Sequence, residues 1–211
     1  MTDIHTHLFP EQPGSALVCV GENLSASIQG HIVCAGLHPW NVTGNDDEFL
    51  SALDVFLTEG RAAAIGECGF DTLRGPSLEL QELAFVRQVE LSERYGLPMV
   101  LHVVRAFDRV IRLRRDLKPA QRWLIHGFRG GPEQVRQLLS KGLDLSFGPG
   151  ANVESLRLIP SDCLFLETDG KADIHDVMAN ASTVRSVPYS QLERTITSNA
   201  EVFLKHSCTV Q

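Results

Sequence analysis

The chain has 211 residues, 43% of them hydrophobic, enough for one well-buried domain and short for two, so residues 1–211 are read as a single domain. A formal net charge of −7 and a pI near 5.6 exclude indiscriminate, chain-wide attraction to nucleic acid while leaving room for a local basic patch. No apolar run approaches membrane-spanning length, no basic-then-apolar leader precedes the first strand, and the five cysteines (Cys19, Cys34, Cys68, Cys163, Cys208) lack a Cys-x-x-Cys spacing, so a reduced, cytoplasmic protein is expected.

In chain order, short apolar runs predict eight strands, near residues 2–7, 16–20, 31–36, 62–67, 98–103, 123–126, 143–147 and 163–168. Continuous runs of four to six apolar residues, without strict alternation, predict strands buried on both faces. Helical patterns alternate with them at 46–59, 77–95, 106–117, 132–141 and 174–181, and a closing helix spans 189–204. The apolar stripe Leu80, Leu83, Val86, Val89 and Leu91 marks the second of these, which Gly96 and Pro98 stop. Glu79, Glu82, Glu90 and Glu93 are read as its solvated side. Strands alternating with helices predict an α/β fold, a parallel sheet closed into a distorted TIM-like (β/α)8 barrel. The connections after the first two strands are too short for ordinary helices, so the first outer helices are expected to be missing.

Five of the strands climb through aliphatic residues and stop at ionisable ones: His5 and His7, Glu67, His102, His126 and Asp169. His5 and His7 point the same way only if their segment is extended, because a strand alternates faces with period two. A metal-dependent hydrolase on a parallel barrel gathers ligands in this manner, from the ends of several strands. Four imidazoles and two carboxylates suit Zn, Mn or Ni, with Mg preferring more oxygen, and six side chains exceed what one catalytic ion takes, so two divalent ions are expected. Glu67 is the candidate bridge and Asp169 the candidate ligand and general base; in the alternative, Glu167 faces the site and Asp169 caps the next helix. Cys68 alternates away from Glu67 and is rejected as a ligand.

Between two of these ligands, from residue 105 to 129, lie eight basic residues. Arg105 and Arg129 each follow a ligand histidine by three residues and are candidates to grip a phosphodiester, against the alternative of solvated surface arginines. His38 is a candidate hydrogen-bond donor to substrate or a structural histidine, and Trp40 either stacks on a base or covers the core edge. The first functional reading is a phosphodiesterase acting on DNA ends, the second an amide or ester hydrolase on the same site, and the third a non-catalytic metal-binding assembly subunit.

The segments Asp3-Ile4-His5-Thr6-His7, Gly36-Leu37-His38-Pro39, Ile65-Gly66-Glu67-Cys68-Gly69-Phe70-Asp71, Leu101-His102, Ile125-His126-Gly127-Phe128 and Leu166-Glu167-Thr168-Asp169 resemble the TatD family of metal-dependent hydrolases, in the family's order. The resemblance implies a distorted eight-stranded barrel with a metal centre at its carboxyl-end mouth and a deoxyribonuclease activity of the 3′-5′ exonuclease kind. It also implies that His5, His7, Glu67 and Asp169 hold one ion, and Glu67, His102 and His126 the second. The chain departs from the family at Gly170-Lys171-Ala172-Asp173, where relatives carry Ala-Pro-Tyr and a longer loop, a change that bears on substrate choice.

Overall fold

In the computed structural model, which describes residues 1–205, eight strands form one parallel sheet in the order in which they occur in the chain. They are β1 (Asp3–Thr6), β2 (Ala16–Gly21), β3 (Ile32–Ala35), β4 (Ala64–Asp71), β5 (Met99–Val104), β6 (Trp123–Ile125), β7 (Leu143–Phe147) and β8 (Leu164–Leu166). The helices are α1 (Asp47–Thr58), α2 (Leu78–Tyr95), α3 (Phe107–Leu117), α4 (Pro132–Leu139), α5 (Val153–Leu158), α6 (Ile174–Arg185) and α7 (Tyr189–Leu204). As expected, no helix follows β1 or β2. Helix α5 was not anticipated, and its six residues are too few to display a helical period in the sequence. Helix α6 runs beyond residue 181 to Arg185, ending at Ser186 in the left-handed conformation. No helix among the described residues is long and apolar enough to cross a membrane. Cys208 lies outside the described residues.

Two apolar layers separate along the strands. Val18, Val33, Ile65, Leu101, Ile125, Leu145 and Leu166 pack with helix residues such as Leu53, Phe85, Val110 and Leu138 on the outside of the sheet. Ile4, Leu17, Cys19, Cys34, Ala64, Val100, Leu124 and Phe165 form the inner cluster, together with Ala200 and Phe203 of α7. Helix α7 therefore plugs the barrel from one end, with the Phe165 and Phe203 rings 5.7 Å apart. Arg122 stacks on both rings and is held by Asp144 through two hydrogen bonds.

The buried face of α2 differs from the expected stripe. Leu83 points outward, 65% exposed, whereas Gln81 and Gln88 are 1% exposed. Their amides saturate loop backbone: Gln81 accepts from Asp71 N and donates to Asp71 O and Pro76 O, and Gln88 accepts from Leu37 N and donates to Leu37 O. Burying these two polar side chains costs little because every group is paired, and it fixes the loops that carry His38 and Asp71. Gly36 allows this approach, since a Cβ there would come within 2.8 Å of Gln88 Oε1 and of Gly66 N. Glu82 is also not a solvated residue; it accepts ion pairs from both Arg109 and Arg112.

The seam between β8 and β1 is held largely by Asp3. Asp3 accepts hydrogen bonds from Thr168 N at 3.1 Å, Thr168 Oγ1 at 2.7 Å and His5 N at 3.3 Å, and Asp169 N donates to His5 O at 3.1 Å. Replacing Asp3 with Ala leaves buried donors of Thr168 unpaired, so Asp3→Ala is expected to lower the unfolding free energy by about 2–4 kcal/mol, measured by urea denaturation.

Candidate metal centre

Glu67 stands at the middle of the barrel mouth, 5% exposed. Strict alternation from Ala64, which faces inward, would point Glu67 outward. A register shift in the pairing of β4 with β5 lies between Ile65 and Cys68 and turns Glu67 inward and Cys68 outward. Oε1 of Glu67 lies 3.6 Å from His5 Nε2 and 3.0 Å from His7 Nε2. Its Oε2 lies 2.9 Å from His126 Nε2 and 3.6 Å from His102 Nδ1. Asp169 Oδ1 completes the first group, 3.6 Å from His5 Nε2 and 3.4 Å from His7 Nε2. The six residues singled out in the sequence thus come together as two groups sharing one carboxylate.

This donor set fits cations. Metal–ligand bonds of about 2.0–2.2 Å place neighbouring ligand atoms about 3.0–3.6 Å apart, the range observed here. His5 is fully buried, and neither of its ring nitrogens has a hydrogen-bond partner among the described residues, a costly arrangement unless something else satisfies them. The field at the site also favours positive charge. Hydrogen bonds with Asp169 and Glu67 push the His7 imidazole up to about 10. Burial pushes the Glu67 carboxyl up, yet the bonds from His102, His126 and His7 outweigh it and hold the group well below the usual carboxylate range. Asp169 behaves alike, its burial outweighed by His5, His7 and Lys171.

Outer carboxylates aim two of the imidazoles. Glu167 Oε1 lies 3.4 Å from His126 Nδ1, leaving Nε2 directed at Glu67, and its Oε2 takes a hydrogen bond from Ser146 Oγ. Asp71 Oδ2 lies 3.2 Å from His102 Nε2, leaving Nδ1 directed inward, and the same oxygen accepts from Trp40 Nε1 at 2.6 Å. Sequence reasoning posed Glu167 and Asp169 as alternatives; both face the site, at different depths. It gave Asp71 no role, although the residue ends the same strand as Glu67, an available signal.

A model of the TatD related DNase family matches residues 21–205. The chain belongs to this family. It is 34% identical over 151 residues to the 3′-5′ ssDNA/RNA exonuclease TatD of Cronobacter sakazakii (strain ATCC BAA-894), covering 64% of this chain and 55% of that protein. Against the metal-dependent hydrolase YjjV of Escherichia coli K12 it is 29% identical over 157 residues, 69% of this chain and 60% of the other. The chain thus spans little more than half the length of these curated relatives in alignment. The crystal structure of YjjV, a TatD homolog, superposes with a TM-score of 0.81 at 21% identity, over 96% of both chains. A TatD family hydrolase from Entamoeba histolytica superposes at 0.77 with 17% identity, over 89% of this chain and 83% of that one. These likenesses fix the TatD barrel.

Within this TatD barrel, His38 joins the second group geometrically, its Nε2 3.7 Å from Glu67 Oε2. Its tautomer differs from that of a ligand, however. The Trp40 backbone N–H donates to His38 Nδ1 at 3.2 Å, so the proton of the neutral ring sits on Nε2, facing the mouth. Burial pushes this imidazole down to about 4 and keeps it neutral.

The basic stretch divides. Arg109 and Arg112 bind Glu82, Arg114 donates to Gln121 O and stacks on Trp123, Arg115 pairs with Asp116 and Arg122 pairs with Asp144. Arg105 and Arg129 alone among these arginines line a 370 Å³ cavity at the mouth, which they share with His102, His126 and Asp169. A second cavity of 460 Å³ meets the same three residues from the other side and is lined by Trp40, Asn41, Glu22 and Lys171. Lys171 pairs with Asp169 Oδ2.

The outer carboxylates supply a measurable consequence. Glu167→Gln keeps the volume but weakens the acceptor that orients His126, and is expected to reduce divalent-cation affinity about 10–100-fold in isothermal titration calorimetry.

Proposed function

We propose that this chain is a divalent-metal-dependent phosphodiesterase that trims single-stranded nucleic acid from an end, in the 3′-5′ sense of the exonuclease name its relatives carry. The observation that carries the reading is the Glu67 carboxylate, with imidazoles on both oxygens at 2.9–3.6 Å. In this reading His5, His7, Glu67 and Asp169 would hold one ion and Glu67, His102 and His126 a second, Glu67 being common to both sets. Four imidazoles favour Zn, Mn or Ni over Mg. Ions held there would supply Lewis acidity towards phosphate and would acidify water.

The remaining chemistry belongs to the side chains. Asp169 is the general base: one oxygen faces His5 and His7, and the other, paired with Lys171, opens to the cavity, so it can take a proton from water once the lysine moves onto phosphate. The left-handed backbone at Asp169, φ 52°, is one that Asp tolerates better than most residues and turns the carboxylate to this position. His38, neutral with its proton on Nε2, donates to a non-bridging phosphoryl oxygen, a contact that strengthens as charge accumulates there. Arg105 and Arg129 line one cavity and would hold the phosphates upstream of the scissile bond. Trp40, fixed by Asp71 and Arg74 at the rim of the other, offers a face on which the terminal base can stack. Two arginines at the mouth favour a phosphate substrate over the amide or ester alternative.

The test measures metal content and then the hydrolysis of end-labelled single-stranded DNA beside a panel of amides and esters. Asp169→Asn is expected to lower DNA turnover by about 10²–10⁴-fold with the circular dichroism spectrum unchanged; equal turnover would remove Asp169 from the reaction, and amide cleavage without DNA cleavage would replace the substrate assignment. His38→Ala is expected to lower kcat by about 10²–10³-fold at unaltered metal content, because the residue acts as a donor. Loss of a metal equivalent in that variant would instead make it a ligand.

A further inference from the structure

Cys19 on β2 and Cys34 on β3 are register partners on adjacent parallel strands, 6% and 0% exposed. Both belong to the inner cluster of the barrel, so both sulfurs point inward, and the Cys19 thiol also bonds to Gly66 O at 3.6 Å. One nitrogen of His5 joins them: the two sulfurs and this nitrogen all lie within 4.8 Å of one another. The Glu67 and Asp169 carboxylates approach His5 at Nε2, and Nδ1 is a second fully buried ring atom with no hydrogen-bond partner among the described residues, so the neutral ring can offer its one free lone pair there when Nε2 carries the proton. Metal-bound imidazoles ordinarily donate their second N–H to a carboxylate or carbonyl, and here that place is empty of any such acceptor.

We propose that Cys19, Cys34 and His5 form a second site, for one soft, thiophilic d10 cation, that shares His5 with the central cluster. Two thiolates and one imidazole are the donor set such ions select, and hard oxygen-seeking ions are poorly served by it. Bonds of about 2.3 Å to sulfur and 2.0–2.1 Å to nitrogen place three ligand atoms about 3.5–4 Å apart, which the 4.8 Å cluster reaches by small side-chain rotations. An ion can arrive from the mouth, because Cys19 lines the 460 Å³ cavity. Each thiol loses its proton to solvent as its sulfur binds, and no electron is transferred. Cys68, although buried and nearby in sequence to Glu67, faces the helices and takes no part. His5 is common to this site and to the proposed hydrolytic centre, so occupancy here would withdraw a ligand from that centre; the binding itself does not depend on the hydrolytic reading.

The test uses Cd²⁺ as the probe on the full, metal-stripped, reduced chain. Titration is expected to raise a thiolate-to-cadmium charge-transfer absorption in the ultraviolet that saturates near one equivalent. The absorption should persist when Cys68, Cys163 and Cys208 are all replaced by Ser and should vanish in Cys19→Ser and in Cys34→Ser. Because those variants can fail to fold, X-ray absorption at the cadmium edge of the unmutated protein with one equivalent bound provides a second readout, with two sulfur scatterers and one nitrogen expected. A cadmium shell of oxygen and nitrogen alone, or an absorption that follows Cys68, Cys163 or Cys208, overturns the proposal.

Discussion

A carboxylate sunk among imidazoles is the arrangement on which the rest of this molecule turns. An ionised Glu67 at 5% exposure would be expensive on its own, and each of its oxygens is therefore met by nitrogen ligands drawn from other strands. The consequence reaches outward. His126 and His102 can present a chosen nitrogen only because Glu167 and Asp71 hold the other, and Glu167 in turn leans on Ser146. The barrel thus converts sequence distance into a single charged cluster whose members fix one another's tautomers.

Closure of the barrel serves the same cluster. β1 carries His5 and runs straight into His7, and it has a backbone-paired neighbour on one side, at β2. Its other side meets β8 through Asp3, Thr168 and one backbone bond between Asp169 and His5. The residues joined across the seam are next to, or are themselves, members of the cluster, so a loose seam would separate His5 from Asp169 directly. Fold stability and site geometry are here the same set of hydrogen bonds.

Much of this was legible before any coordinates, for a physical reason. Strands buried on both faces are apolar almost throughout, so an ionisable residue at the end of such a run stands out, and His5, His7, Glu67, His102, His126 and Asp169 were all visible in that way. What the pattern did not reveal depends on departures from regular geometry. Nothing in Ile65-Gly66-Glu67-Cys68 as a simple alternation announces the register shift that turns Glu67 inward. The polar buried face of α2 defeated the apolar stripe, because Gln81 and Gln88 are paid for by loop backbone groups that only the fold brings near, while Leu83 was left outside. Arginine counting failed similarly: Arg109 and Arg112 are consumed by Glu82, and sequence spacing does not distinguish a captured guanidinium from a free one.

The trimmed early connections follow from this division of labour. Every member of the central cluster sits on a strand or immediately after one, and none is carried by the outer helices that this chain lacks after β1 and β2. Without helices after β1 and β2, the strands β1, β2 and β3 still pair in parallel. The segment Gly170-Lys171-Ala172-Asp173 instead borders the mouth, where Lys171 sits beside Asp169 in the cavity that Trp40 bounds. The central cluster and the mouth are therefore continuous, since His102, His126 and Asp169 belong to the first and line both cavities of the second.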